Sequence, residues 1–345
     1  MPKNPLTGFR IDRAAIRYVG NDLQRPECIL AEPDGTLWAA DARGGVMCIA
    51  PDGSQRFVGQ RADDRFARAA DPHERFMKGT LPNGLAFARN GDFIIANFGT
   101  DALEIMDRKG RSRVLHDHID GRPIGKVNFV LRDSRDRLWL TVSTRVNPWV
   151  DAVRPGLADG FVALADGKGL RIVAEGFAFT NEIRLDAREE WLYIVETTGK
   201  RVSRMRVAAD GALSGREVFG PANLGTGFPD GIAFDAFGNL WCTMVMADRL
   251  IAITPEGEVL ELLDDGVPAA TAELERHFAA GTVTTEIMMR ARGTVAPWMA
   301  SVTFGGPDLA TAYIGSLIGT RIPMFHSPVP GLPMVHWNQP GTVSE

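Results

Sequence analysis

The chain is poor in the residues that tie small or secreted folds together. It has three cysteines in 345 residues, Cys28, Cys48 and Cys242, each inside an apolar or strand-like run. An odd count in such surroundings excludes a disulfide framework and points to reduced thiols, as in a cytoplasmic protein. No apolar run approaches the roughly 18 residues of a membrane span. The opening stretch, MPKNPLTGFRIDR, lacks the apolar centre of a secretion signal. No basic stripe is present, and the formal net charge is −5 with acids and bases mixed. Nucleic acid is therefore not an expected partner, and neither is a membrane. Long helical periodicities are also scarce: one stretch, AATAELERHFAAGTVTTEIMMRAR, reads as helical. That scarcity argues against a parallel α/β fold, which needs a helix between successive strands.

What the chain does have is a repeat. Five segments share a polar anchor, a short apolar strand, a turn and a second strand carrying an aromatic or apolar residue: ECILAEPDGTLW, NGLAFARNGDFI, NFVLRDSRDRLW, NEIRLDAREEWLY and DGIAFDAFGNLW. SVTFGGPDLATAY is a sixth. Glu27 precedes Trp38 by eleven positions, and the same step links Asn83 to Ile94, Asn128 to Trp139 and Asp230 to Trp241. Asn181 to Tyr193 and Ser301 to Tyr313 are twelve, one turn residue longer. Further strand–turn signals later in each unit, such as VMCIAPDGSQRFV, make two hairpins per repeat. Four strands at periods near 40–50 residues predict an all-β fold, a single six-bladed β-propeller spanning residues 1–345. The N-terminal strand AAIRYVG is placed to close the ring beside the last blade, removing an exposed sheet edge.

The first strand of a propeller blade lines the central channel, so the anchors form a ring at one rim: Glu27, Asn83, Asn128, Asn181, Asp230 and a residue near Ser301. Unpaired carboxylates and amides converging in a narrow channel are costly to bury. A bound cation removes that cost. Oxygen donors with two negative charges suit a hard divalent ion, Ca²⁺ above Zn²⁺, Fe²⁺, Mn²⁺ or Mg²⁺. The absence of Cys and His from the ring argues against a structural zinc site. The longest connections, 60–81, 144–159 and the helical 264–299, belong to the same rim and are expected to shape a pocket over the ion. His116 and His118 have metal-like spacing but sit in a polar surface loop, and His277 falls on the helical insertion.

These segments, in this order and spacing from about Pro26 to Val335, resemble the senescence marker protein, gluconolactonase and luciferin-regenerating enzyme family, whose relatives include regucalcin and diisopropyl fluorophosphatase. The resemblance implies one catalytic divalent cation held by Glu27, Asn128, Asn181 and Asp230, with Asp230 also the general base. Asn83 then stands behind the ligands or touches substrate. Lys126 occupies the place where many family lactonases carry a substrate-contacting Arg. Phe129 and Val130 follow Asn128 where Asp-Gly is usual, and Glu182 follows Asn181. Phe129, Trp149, Phe177, Phe179 and Phe228 imply a more apolar pocket than a sugar lactone needs, and Phe129, Trp149 and Glu182 join Asn83 as expected substrate contacts.

The expected activity is a metal-dependent hydrolase opening a lactone or cleaving another ester of a small, fairly apolar metabolite. The ion would polarise the carbonyl, Asp230 would activate water, and Lys126 would steady the developing charge. Two other readings use the same scaffold. One is a metal-dependent isomerase or ring-opening enzyme that adds no water. The other is a non-catalytic metal-binding propeller, which would present an exposed apolar patch to a protein partner.

Overall fold

Alternating apolar residues, Asx turns and a recurrent tryptophan build the same unit six times. In three of the blades an acid opening the tight turn reaches the aromatic of the next strand. Asp133 Oδ1 accepts from the backbone N–H groups of Arg135 and Arg137, while its Oδ2 takes the indole N–H of Trp139 at 2.8 Å. Asp235 repeats this with Phe237, Gly238, Asn239 and, at 2.9 Å, Trp241. Glu32 holds Trp38 in the first unit. A buried indole N–H needs such a partner.

In the computed structural model, which describes residues 3–60, 74, 77 and 79–339, these units are six four-stranded antiparallel sheets arranged as the blades of a propeller. The inner strands are Ile29–Ala31, Pro82–Phe87, Val127–Arg132, Thr180–Leu185, Phe228–Phe234 and Met299–Gly305. Each of the first five blades is built from four consecutive strands. The sixth takes its outermost strand, Arg17–Val19, from the N-terminus, in the register Arg17↔Met324, Tyr18↔Pro323 and Val19↔Ile322. Ring closure is thus as expected. A short ribbon, His118–Ile119 with Arg122–Pro123, joins blades 2 and 3 and carries the His116–His118 stretch on the surface.

The core lies between neighbouring blades rather than at one centre. One cluster sits between blades 2 and 3 around Ile94, Val130 and Leu140, and another between blades 4 and 5 around Val195, Ile232 and Cys242. A separate cluster covers the upper rim. It joins Phe98, Trp149, Phe179, Phe228 and Trp298 to side chains of the helical insertion. That insertion comprises α1 (Pro268–Ala280) and α2 (Thr285–Arg290). Helix α1 buries Thr271, Leu274 and Phe278, one stripe at helical spacing, and ends on Gly281 at φ +65°. Most of the 60–81 connection lies outside the described residues; Met77 and Leu81 pack into the upper cluster.

Candidate metal centre

The anchors reach the channel through β-bulges. In blades 2 to 5 the pairing of the first two strands slips at the ring position: between Pro82 and Leu85, Val127 and Phe129, Thr180 and Ile183, and Pro229 and Ile232. An extra residue on one strand bends it and re-aims a side chain. Blade 6 slips between Met299 and Ser301, so Ala300 occupies its ring position. It stands three residues before Thr303, which faces Tyr313, as Asp230 stands three before Ala233, which faces Trp241. The sixth place is therefore apolar, and the Ser301 hydroxyl turns aside to donate to the Glu27 carbonyl.

Glu27, Asn83, Asn128, Asn181 and Asp230 line one cavity of about 60 Å³ with Arg25, Phe98, Trp149, Val153, Phe179, Thr197, Thr198, Phe228, Val245, Met246 and Leu317. Asn83 donates to Glu27 Oε1 at 2.6 Å and to the Asn128 carbonyl at 3.0 Å. Arg25, which the sequence reading missed, donates to Asn83 Oδ1 at 2.6 Å and stands 2.9 Å from Glu27 Oε2. Asn181 turns its nitrogen to the Thr197 hydroxyl at 3.1 Å. The amide oxygens of Asn128 and Asn181 are left buried with no hydrogen-bond partner. Burial raises the Glu27 carboxyl to about 7, against the pull of Arg25 and Asn83. Burial, then the Glu27 and Glu182 charges, raises Asp230 well above the carboxylate range.

Two buried carboxyls whose burial favours the neutral form and two orphaned amide oxygens form an oxygen-only donor set. Among the described residues no three His, Cys, Asp or Glu side chains converge as a metal-binding group. The set instead needs both asparagines, which is the composition hard cations accept. Glu27, Asn128, Asn181 and Asp230 thus fit a divalent ion such as Ca²⁺.

Three expected contacts lie elsewhere. Lys126 is turned away from the cavity, 2.9 Å from Asp101 Oδ1, and among the described residues Arg25 is the cation on the cavity wall. Phe129 faces down the channel because the bulge spends the inward direction on Asn128; the Arg184 guanidinium lies over its ring at 4.6 Å. A Cβ at Gly84 would come within 2.6 Å of the Phe129 Cα. Glu182 sits below the ring, paired with Arg184 at 2.9 Å and accepting from the Ile232 N–H. Trp149 does line the cavity, wedged edge-on between Phe98 at 5.8 Å and Phe179 at 6.3 Å. Phe177 packs in the interblade core, and His277 turns to Thr282. Arg25, Phe179 and Met246 all carry positive φ, near +57°, +56° and +63°. Such strained backbone gathers where a fold holds side chains against preference. A signal for Arg25 was present: it stands two residues before the ring position, where Phe179 stands in blade 4.

A larger cavity, about 420 Å³, lies at the opposite end of the channel under the C-terminal segment, lined by Arg132, Arg184, Phe304 and His336 among others. His336 seals it by bonding to the Ala31 carbonyl at 2.9 Å.

Residues 26–273 match the model of the SMP-30/gluconolactonase/LRE-like region. A 6-deoxy-6-sulfogluconolactonase from Pseudomonas putida is 27% identical over 146 residues, covering 42% of this chain and 38% of that relative, so the match spans well under half of that protein's length. Among solved structures, a gluconolactonase from Xanthomonas campestris superposes with a TM-score of 0.63 at 19% identity, covering 93% of this chain and 94% of that one. A calcium-binding regucalcin from Agrobacterium tumefaciens gives 0.65 at 15%, covering 91% and 95%.

Proposed function

The chain belongs to the SMP-30/gluconolactonase/LRE-like family, and from that premise we propose that it is a metal-dependent hydrolase opening a lactone or cleaving another ester of a small, fairly apolar metabolite. The observation that carries this is the buried cage of Glu27, Asn128, Asn181 and Asp230 with its two unpartnered amide oxygens. We take residues 1–345 as one functional unit, with 144–159 and 264–299 as the walls above the cage. A divalent ion held there supplies a Lewis-acidic centre for a carbonyl and lowers the pKa of water.

The side chains do the rest. Asp230 is the general base: once a cation offsets the burial that favours its neutral form, its carboxylate takes a proton from water as the water oxygen adds to the carbonyl carbon. The acyl C–O bond then breaks, and the same proton returns to the departing alkoxide. Asn83 and Arg25 fix both oxygens of Glu27. Trp149, Phe179 and Phe228 keep bulk water from the reacting atoms. Lys126 is given no role in this proposal, since it lies off the described cavity wall and pairs with Asp101.

The large apolar side chains exposed among the described residues are spread over the outer strands: Tyr18, Phe57, Val114, Val218 and Val259, with Val267 at the insertion. They form no patch on the upper rim, which favours a pocket over a docking face. The test is calcium titration with a panel of lactones and aryl esters on wild type, Glu27→Gln and Asp230→Asn. Stoichiometric calcium and turnover in wild type, with Glu27→Gln losing the ion, support the proposal. Bound calcium with product free of solvent oxygen would replace hydrolysis with a non-hydrolytic ring opening. No bound metal would refute it.

A further inference from the structure

We infer that the cavity selects a compact, largely apolar lactone carrying one hydrogen-bonding substituent, that polyhydroxylated sugar lactones are rejected, and that Thr198 is the residue that reads the substituent. This rests on the hydrolase reading and names its substrate class. Apart from Arg25 and the Trp149 indole, the described residues of the cavity wall above the ring offer two side chains that hydrogen-bond through hydroxyls, Thr197 and Thr198. The Thr197 hydroxyl is committed: it receives Asn181 Nδ2 at 3.1 Å and donates to the Pro229 carbonyl at 2.8 Å. Arg25 is committed to the Pro82 carbonyl, Asn83 and Glu27. Thr198 is 7% exposed, and its Oγ1 is buried with no hydrogen-bond partner.

A buried hydroxyl left without a partner is costly, and because Thr198 lines the cavity a substituent bound there can supply one. One donor–acceptor group can satisfy one substituent. Against the described wall each further hydroxyl of a sugar ring meets no other uncommitted hydroxyl, at about 5- to 150-fold in affinity apiece.

The remaining wall cannot adapt. Phe228 is backed by Phe278 of α1 at 4.9 Å and by the Lys200 ammonium at 4.5 Å. Trp149 is held edge-on by two other rings. The cavity is small, about 60 Å³.

The experiment is calorimetric titration of the calcium-loaded full chain with lactams, which resist hydrolysis. Three are compared: an alkyl δ-lactam, the same ring with one hydroxyl, and a polyhydroxylated sugar lactam. The two small lactams should bind, and the sugar lactam at least about 100-fold more weakly. Thr198→Val should weaken the monohydroxy lactam about 10-fold and leave the alkyl lactam unchanged. Thr198→Ser, which keeps the hydroxyl, should restore it. Equal binding of the sugar lactam overturns the inference, as does an equal effect of Thr198→Val on both small lactams, or no lactam binding at all. Discrimination among lactams without turnover of the matching lactones would leave the preference standing and remove the hydrolase reading.

Discussion

Protons and a cation compete for the same oxygens at Glu27 and Asp230. Burial raises Glu27 from 4.5 to about 7, and Glu182 just below it likewise from 4.5 to about 7. Both folded-state values lie above the unfolded ones, so folding favours the protonated forms. The stability this supplies is complete below about 4.5 and is lost as pH rises through about 7. Calcium reverses the balance at Glu27, because the ionised carboxylate gains a partner and must shed its proton. We therefore expect the melting temperature of chelator-treated protein to fall between about pH 5 and 8, and calcium to flatten that slope. Calcium affinity should climb over the same interval, with proton release visible as a dependence of the binding heat on buffer ionisation. A flat melting profile in chelator would show that these carboxyls are not buried as described. Replacing Glu27 with Gln should abolish calcium's effect on the melting profile while leaving the fold intact.

At the scale of the element, the inner strands work because they are broken. Each bulge places an anchor in the channel, and glycine after the anchor lets neighbouring strands approach. A Cβ at Gly84 would lie 2.6 Å from Phe129 Cα, and one at Gly231 would lie 2.3 Å from the Ala300 carbonyl oxygen. Both contacts are backbone, so neither can be relieved by a rotamer. Gly84→Ala and Gly231→Ala should each cost about 1–3 kcal/mol in denaturant melts. Gly231→Ala, beside Asp230, should also weaken calcium binding.

The helical insertion hangs on a second element-scale device. Asp248 accepts from the N–H groups of Gly293, Trp298 and Met299, and Lys200 pairs with Glu275 of α1. Asp248→Asn puts an amide N–H against those donors, so it should destabilise by roughly 2–3 kcal/mol. Hydrogen exchange should speed up in α1 and α2 while the blades stay protected.

The spacing of anchors made the blades and five ring positions legible, because a propeller repeats its register and a bulge keeps its count. Ala300 was not legible, since a twelve-residue step can place its extra residue on either side of the turn. Phe129 and Glu182 misled for a related reason: in a bulge, adjacent residues do not simply alternate, so neighbours of a ligand need not face what the ligand faces. Arg25 shares a fixed offset before the ring position, but Phe98 comes from a connection whose direction no periodicity encodes.

At the scale of the molecule, the cage spans blades 1, 3, 4 and 5, so its geometry depends on a ring that stays closed. Closure is made by the N-terminal segment. Arg17–Val19 completes blade 6, the Ile11 N–H bonds to the Leu262 carbonyl at 2.9 Å, and the Leu23 N–H to the Thr320 carbonyl at 3.0 Å. Leu6, Ile11 and Ile16 fill the seam between blades 5 and 6. Removing residues 1–20 would strip those side chains from the core and expose the Ile322–His326 strand as an open edge. The expected outcome is a lower and broader melting transition, concentration-dependent self-association and weaker calcium binding, read by calorimetry and sedimentation. The three need not move together for trivial reasons. Glu27 stands seven positions beyond the deleted segment and accepts through its carbonyl from the Ser301 hydroxyl of blade 6, whereas Asn128 and Asn181 sit across the channel. Loss of calcium binding with the blades still folded would therefore mean that closure positions Glu27 against its partners. Retained calcium affinity alongside self-association would mean that the strand guards an edge and nothing more.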